Sequence, residues 1–186
     1  MSEASDKPVK GFHFLPVYAD LIASAANRWA YLEYYVNCSI WLLADVKPAI
    51  GACLTSQMYT LNSKLSALLS LLKLRKADTA LIDKVNKFAS SVRDALDARN
   101  RDVHDIWLND NINKDQMGKL RITADKVLRF HIDEVKSDAL VNDNEIIERR
   151  RVEAGEIMEA IKAALPSLPE MSHTDLHPIT ETPVVP

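Results

Sequence analysis

The chain has 186 residues, 47% of them hydrophobic and 26% charged, with a formal net charge of -3 and a pI near 6.0. That balance is ordinary for a globular domain long enough to bury a core. It argues against a general nucleic-acid coat or a membrane-surface binder and leaves room for a small local RNA site. Four glycines are too few for a turn-rich all-β fold, so the composition favours helices.

Met1 to Lys10 is polar and carries neither the apolar run nor the cleavage pattern of a secretory leader, and residues 1–14 read as a flexible N-terminus. A first helix is predicted from about Pro16 to Asp45. Pro16 suits a first-turn position, and Tyr18, Leu21, Ile22, Ala25, Trp29, Leu32, Val36, Ile40 and Leu43 make one continuous apolar face. Lys47-Pro48 breaks it. A second helix follows from about Pro48 to Arg75, with Ile50, Leu54, Met58, Leu61, Leu65, Leu68 and Leu72 inward. Cys38 and Cys53 fall among apolar residues of these helices, match no paired-cysteine pattern and read as reduced core thiols. With no uninterrupted apolar run of about 18 residues, the expected location is the cytoplasm and no membrane partner is expected.

After a short Lys76-Ala77-Asp78 link, a third helix is predicted from about Thr79 to Trp107. Its apolar stripe comprises Leu81, Val85, Phe88, Val92, Leu96, Val103 and Ile106. At about 100° per residue, Arg99 falls inside this stripe between Leu96 and Val103, with Asn100 on its edge and His104 just beyond. A guanidinium on a core-facing stripe is costly unless it is paired or kept wet in a cleft. Arg99 therefore marks either a buried ion pair, with Glu33 of the first helix as candidate partner, or a polar site cut into a helical interface. Three helices of about 28 residues, each roughly 40 Å long, joined by short links imply antiparallel neighbours in a bundle.

Asn109 to Gly118 is rich in Asn and Asp and reads as a loop. Leu120, Ile122 and Ala124 alternate with polar residues, as do Leu128, Phe130 and Ile132, so a small hairpin insert is predicted over about 119–133. Asn142 followed by Glu145 resembles a capping box, and a last helix from about Asn144 to Leu165 would turn Ile147, Ala154, Met158, Ile161 and Leu165 inward. The domain thus spans 15–165. The tail, 166–186, holds five of the eight prolines and is predicted to be disordered.

Arg99-Asn100 with His104 following, four residues separating arginine from histidine, resembles the signature motif of the HEPN superfamily. Long helices, Trp29-x-x-Leu32-Glu33 on the first of them and a strand-like insert before a closing helix are similar to bacterial members of that superfamily. The architectural resemblance covers roughly residues 15–165; the motif covers three residues. It implies a mainly α, HEPN-like antiparallel bundle acting as a homodimer, with a metal-independent endoribonuclease site formed where two copies of helix three meet. Arg99, Asn100 and His104 would be the catalytic residues, with no cofactor and no metal. RNA, a cognate antitoxin or another protein would be the partner. Imidazole is the side chain poised to move a proton near neutral pH, and a guanidinium can hold the extra negative charge of a pentacoordinate phosphorane. Asn100 and His104, four apart, share a face, so the amide could orient the imidazole or the phosphate.

Plainer readings stand beside this one. Arg93, Asp97, Arg101 and Asp105 recur every four residues and read as a solvated, salt-bridged face, and so does the Arg149-Arg150-Arg151 run flanked by Glu148 and Glu153. His173 and His177 lie in the tail without supporting ligands, and Tyr31, Tyr34 and Tyr35 suit aromatic packing better than base stacking. A non-catalytic helical dimer serving as a protein-protein interaction module is the alternative function.

Overall fold

The computed structural model describes residues 15–109, 117–125 and 127–169. The N-terminal segment 1–14, residues 110–116 of the predicted loop, and residues 170–186 of the tail, including His173 and His177, lie outside the described residues. The chain is mainly helical with a small antiparallel sheet. Its elements are α1 (Pro16–Leu43), α2 (Pro48–Thr55), α3 (Leu61–Leu74), α4 (Thr79–Ser91), α5 (Arg93–His104), β1 (Ile106–Asn109), β2 (Met117–Asp125), β3 (Val127–Val135) and α6 (Ser137–Ala164), followed by a 3-10 turn at Leu165–Ser167. No single helix among the described residues is long and apolar enough to cross a membrane.

Two compact units share these elements. The first takes the described residues of Met1–Tyr31 and Val92–Arg151, the second those of Leu32–Ser91 and Val152–Pro186. In the second unit the helical stripes fall where periodicity puts them: Leu32, Val36, Ile40 and Leu43 on α1, Leu61, Leu65, Leu68 and Leu72 on α3, and Leu81, Val85 and Phe88 on α4 are all buried. The predicted second helix is nevertheless two. Residues 56–60 interrupt it, and Thr60 starts α3 afresh by accepting the Ser63 N–H on its hydroxyl at 3.1 Å. The interruption turns Ile50 and Leu54 outward, against expectation, while Gly51 and Thr55 face inward. Gly51 is required there: a Cβ would stand 2.4 Å from the Trp41 ring, whose Nε1–H donates to Thr55 Oγ1 at 3.2 Å.

The first unit gathers Tyr18, Trp107, Met117 and Leu140 into one apolar cluster with Leu15, Leu21, Ile22 and Val135 against it. The Tyr18 hydroxyl donates to the Val135 carbonyl at 2.8 Å and its ring meets Trp107 edge-on at 5.9 Å. Strands β1, β2 and β3 lie in that order, antiparallel, with Ile106 opposite Leu120 and Met117 opposite Val135. The predicted hairpin is thus longer than expected and gains a third strand, Ile106–Asn109, which takes up the expected end of helix three at Trp107 and the expected start of the loop at Asn109. The last helix starts seven residues before the expected Asn144, at Ser137; the capping-box residues Asn142 and Glu145 lie inside it. Asn144 is buried, and its amide donates to the carbonyls of Leu21 and Leu140, both at 3.0 Å.

The predicted third helix is also two. Ser90 and Ser91 turn their hydroxyls back onto the carbonyls of Asn86 and Phe88, at 3.0 and 3.1 Å, and the helix breaks at Val92. Such back-bonding competes with the helical ladder. The buried stripe of α5 lies one position earlier than expected. Val92, Ala95, Ala98 and Asp102 are buried, where Leu96, Arg99 and Val103 were expected.

Candidate functional site

Helix α5 is held to α6 by charge at both ends. Arg150 grips Asp94 through two bonds, Nη2 to Oδ2 at 2.9 Å and Nε to Oδ1 at 3.2 Å, and these hold the Asp94 carboxyl below its ordinary value. Arg101 meets Asp143 at 3.6 Å. The arginine run of α6 is therefore tied into the first unit: besides Arg150, Arg151 donates twice to Glu148, at 2.6 and 2.8 Å, and lowers that carboxyl in turn.

The last turn of α5 carries the predicted trio. Arg99 Nη1 donates to Asn100 Oδ1 at 3.1 Å and lies 2.6 Å from His104 Nε2. A guanidinium offers donors only, so in this contact the ring nitrogen is the acceptor. Asn100 and His104 are exposed and Arg99 is half-buried, its Nε buried and without a partner among the described residues. The three side chains come together as the spacing predicts, with one change of role: Asn100 fixes the guanidinium, and the guanidinium meets the imidazole. Glu33, the expected partner of Arg99, forms an ion pair with Lys64 at 3.4 Å. Arg99 is thus bonded to Asn100 and His104 of its own helix. No group of three or more His, Cys, Asp or Glu among the described residues is arranged to hold a metal ion.

The buried charge on α5 is Asp102, at 0% exposure. Lys119 of β2 donates to its Oδ1 at 2.7 Å and lies over the Trp107 ring, 4.4 Å from the centroid. Trp107 closes the arrangement by donating from Nε1 to the Asp102 carbonyl at 3.0 Å. Burial pushes the Asp102 carboxyl above its ordinary value, against the downward pull of Lys119, and Oδ2 has no partner among the described residues. Beside the pair opens a cleft of about 340 Å³ lined by Arg101, Asp102, Lys119, Asp133, Leu140 and Asp143, among others. Sequence reasoning passed over Asp102 and Lys119. The pleat that puts Lys119 on the Met117 face was hidden in a segment read partly as loop, and the buried face of α5 runs through two alanines, Ala95 and Ala98, which mark a stripe weakly.

Comparison with family models, with curated proteins and with solved structures finds no match to this chain.

Proposed function

We propose that the chain is a HEPN-like protein that acts on RNA as a homodimer, cleaving it without a metal through Arg99, His104 and Asn100. The observation that carries this reading is the 2.6 Å contact between Arg99 Nη1 and His104 Nε2 on a helix end whose imidazole reaches solvent. In the resting protein the guanidinium covers the base. A phosphodiester entering the site offers the guanidinium two anionic oxygens in place of one ring nitrogen, a stronger, charge-assisted partnership. Arg99 then moves onto the phosphate and uncovers Nε2, which takes the proton of the ribose 2′-hydroxyl as that oxygen attacks phosphorus. The P–O5′ bond breaks, O5′ is protonated from the second subunit's imidazole or from water, and the products are a 2′,3′-cyclic phosphate and a 5′-hydroxyl. Arg99 holds the added charge of the phosphorane, and Asn100 holds Arg99.

A second reading is favoured by one observation: Phe130, Ile132 and Ile122 lie exposed on the outer face of the sheet, as a protein-binding surface would present them. The chain would then be a non-catalytic interaction module. The deciding experiment is cleavage of an RNA panel by purified protein in EDTA, beside His104→Ala. Cyclic-phosphate ends from the wild type, with the rate lowered by about 10² or more in the variant, support the nuclease. Equal cleavage by both assigns the activity to a contaminant or another site. An inert, folded dimer supports the interaction module.

A further inference from the structure

The buried charged side chains among the described residues are Lys64, Arg75, Asp102 and Lys119. Three of them sit in ion pairs, Lys64 with Glu33 at 3.4 Å and Lys119 with Asp102 at 2.7 Å. Arg75, at the end of α3 and 7% exposed, has no side-chain hydrogen bond, ion pair or ring contact among the described residues. Its Nε is buried and unmatched, while Nη1 and Nη2, equally unmatched, are not fully buried. The side chain thus runs through packed protein and surfaces at the tip of its fork. Proteins pair the charges they bury, and a guanidinium left with all its donors open points to a partner from outside the fold.

The backbone holds Arg75 in a closed turn. The Arg75 N–H donates to the Leu71 carbonyl at 2.9 Å, Lys76 takes a positive φ of 50°, and the Ala77 N–H returns to the Leu72 carbonyl at 2.9 Å. This is a Schellman closure made without the usual glycine. The surroundings are poor in carboxylates. From Val46 to Ala77 the sequence carries five cations and no acidic residue, in a chain of net charge -3. Lys73 and Lys76 are exposed and form no ion pair among the described residues. The first acid beyond them, Asp78, accepts the Leu81 N–H on Oδ1 at 2.7 Å and so caps α4. The start of α4 is therefore already covered, and the argument rests on the arginine and not on the helix dipole.

We infer that Arg75 anchors a phosphate-binding site on the α3–α4 turn, with Lys73 and Lys76 adding positive charge around it. A guanidinium fork takes two oxygens of a phosphate through parallel bonds. A carboxylate has both its oxygens on the fork, whereas a phosphate keeps oxygens and charge for the neighbouring ammonium groups. A free phosphate, a nucleotide and a nucleic-acid backbone share this chemistry. Arg75 belongs to the second unit and the trio to the first, so the site does not rest on the cleavage reading.

The test is titration of the full chain with inorganic phosphate against sodium chloride at matched ionic strength, read by melting temperature and by the Arg75 Nε–H resonance. Phosphate should raise the melting temperature and move the resonance along one saturating curve. Arg75→Met, checked for folding by circular dichroism, should bind phosphate about tenfold or more weakly. Should that variant be too unstable to titrate, Arg75→Lys, which keeps the charge and loses the fork, reads the same loss. Lys73→Gln with Lys76→Gln, both at exposed positions, should weaken phosphate by about threefold while the Arg75 resonance still responds. Adenosine monophosphate and a short oligodeoxynucleotide, titrated in the same way, separate the sources. Tighter binding of the nucleotide marks a monoester site, and tighter binding of the oligonucleotide marks a backbone site. A wild type that responds to phosphate no more than to chloride, or an Arg75 variant that responds as fully as the wild type, would overturn the site and leave a hydrated arginine. None of these readouts involves RNA cleavage.

Discussion

The last two turns of α5 present two polar arrangements that differ in almost every physical respect. On the inner face Asp102 is fully buried and tied to Lys119, which lies over the Trp107 ring; toward solvent Arg99 contacts Asn100 and His104 of its own helix. A buried ion pair gains little net stability because desolvation consumes most of its Coulomb energy, yet it is expensive to break. An exposed cluster of polar groups contributes little to folding. The contrast sets an ion pair that is costly to break beside a cluster that substitution should barely destabilise, and it is in the second that the proposed RNA site lies.

The largest test of this division is Asp102→Ala, which leaves Lys119 buried without a counter-charge and should cost about 3–5 kcal/mol in denaturant unfolding. Replacing both partners, Asp102→Leu with Lys119→Met, should return most of that loss, because the apolar pair removes the desolvation penalty along with the attraction. A loss that persists in the double variant would show that the ion pair with its packing on Trp107 is net stabilising, and that the cost of Asp102→Ala is more than a stranded Lys119.

A smaller effect lies in the pH dependence. The Asp102 carboxyl is raised in the folded state, chiefly by burial, so as pH rises past its ordinary value of 3.8 the unfolded chain loses this proton first and stability falls. Asp94 and Glu148 run the other way: their lowered carboxyls add stability that is full above 3.8 and 4.5 and is lost as pH falls through the folded values. In Asp102→Asn the falling component should vanish while the acid-side loss remains. Denaturant midpoints measured across the acid range read both at once.

Smallest of all should be the stability change on Arg99→Ala or His104→Ala, about 1 kcal/mol or less. A loss comparable with that of Asp102→Ala would move Arg99 to the structural side and remove the main support for the RNA site.

The fold was legible wherever apolar spacing alone decides it. The faces of α1, α3 and α4 follow from residues such as Leu32, Leu65 and Val85, which packing buries regardless of neighbouring detail. The two helix breaks were hidden because neither is marked by proline or glycine; only hydroxyl bonds at Ser90, Ser91 and Thr60 accompany them, and these leave hydrophobic periodicity nearly intact. On α5 the buried positions are Ala98 and Asp102 in place of the expected Arg99 and Val103. The contacts of the trio were legible all the same, because they depend on spacing along one helix and not on which way the helix faces. Lys119 was out of reach, since a strand residue's face is defined only once its register is known.

Asp105 is the single residue between the end of α5 and the start of β1. His104 thus hangs at a joint without slack: its helix is clamped by Arg150 and Arg101, and the next residue but one is already bonded into the sheet. One inserted residue here would swing the helix end by about 100° relative to the strand, or turn every β1 side chain to the opposite face. Trp107 would leave the core and Ile106 and Leu108 would enter it. The spacing of the joint is therefore a stricter requirement than the identity of the residue that fills it, and an insertion beside Asp105 should destabilise more than one in the exposed 56–60 connection.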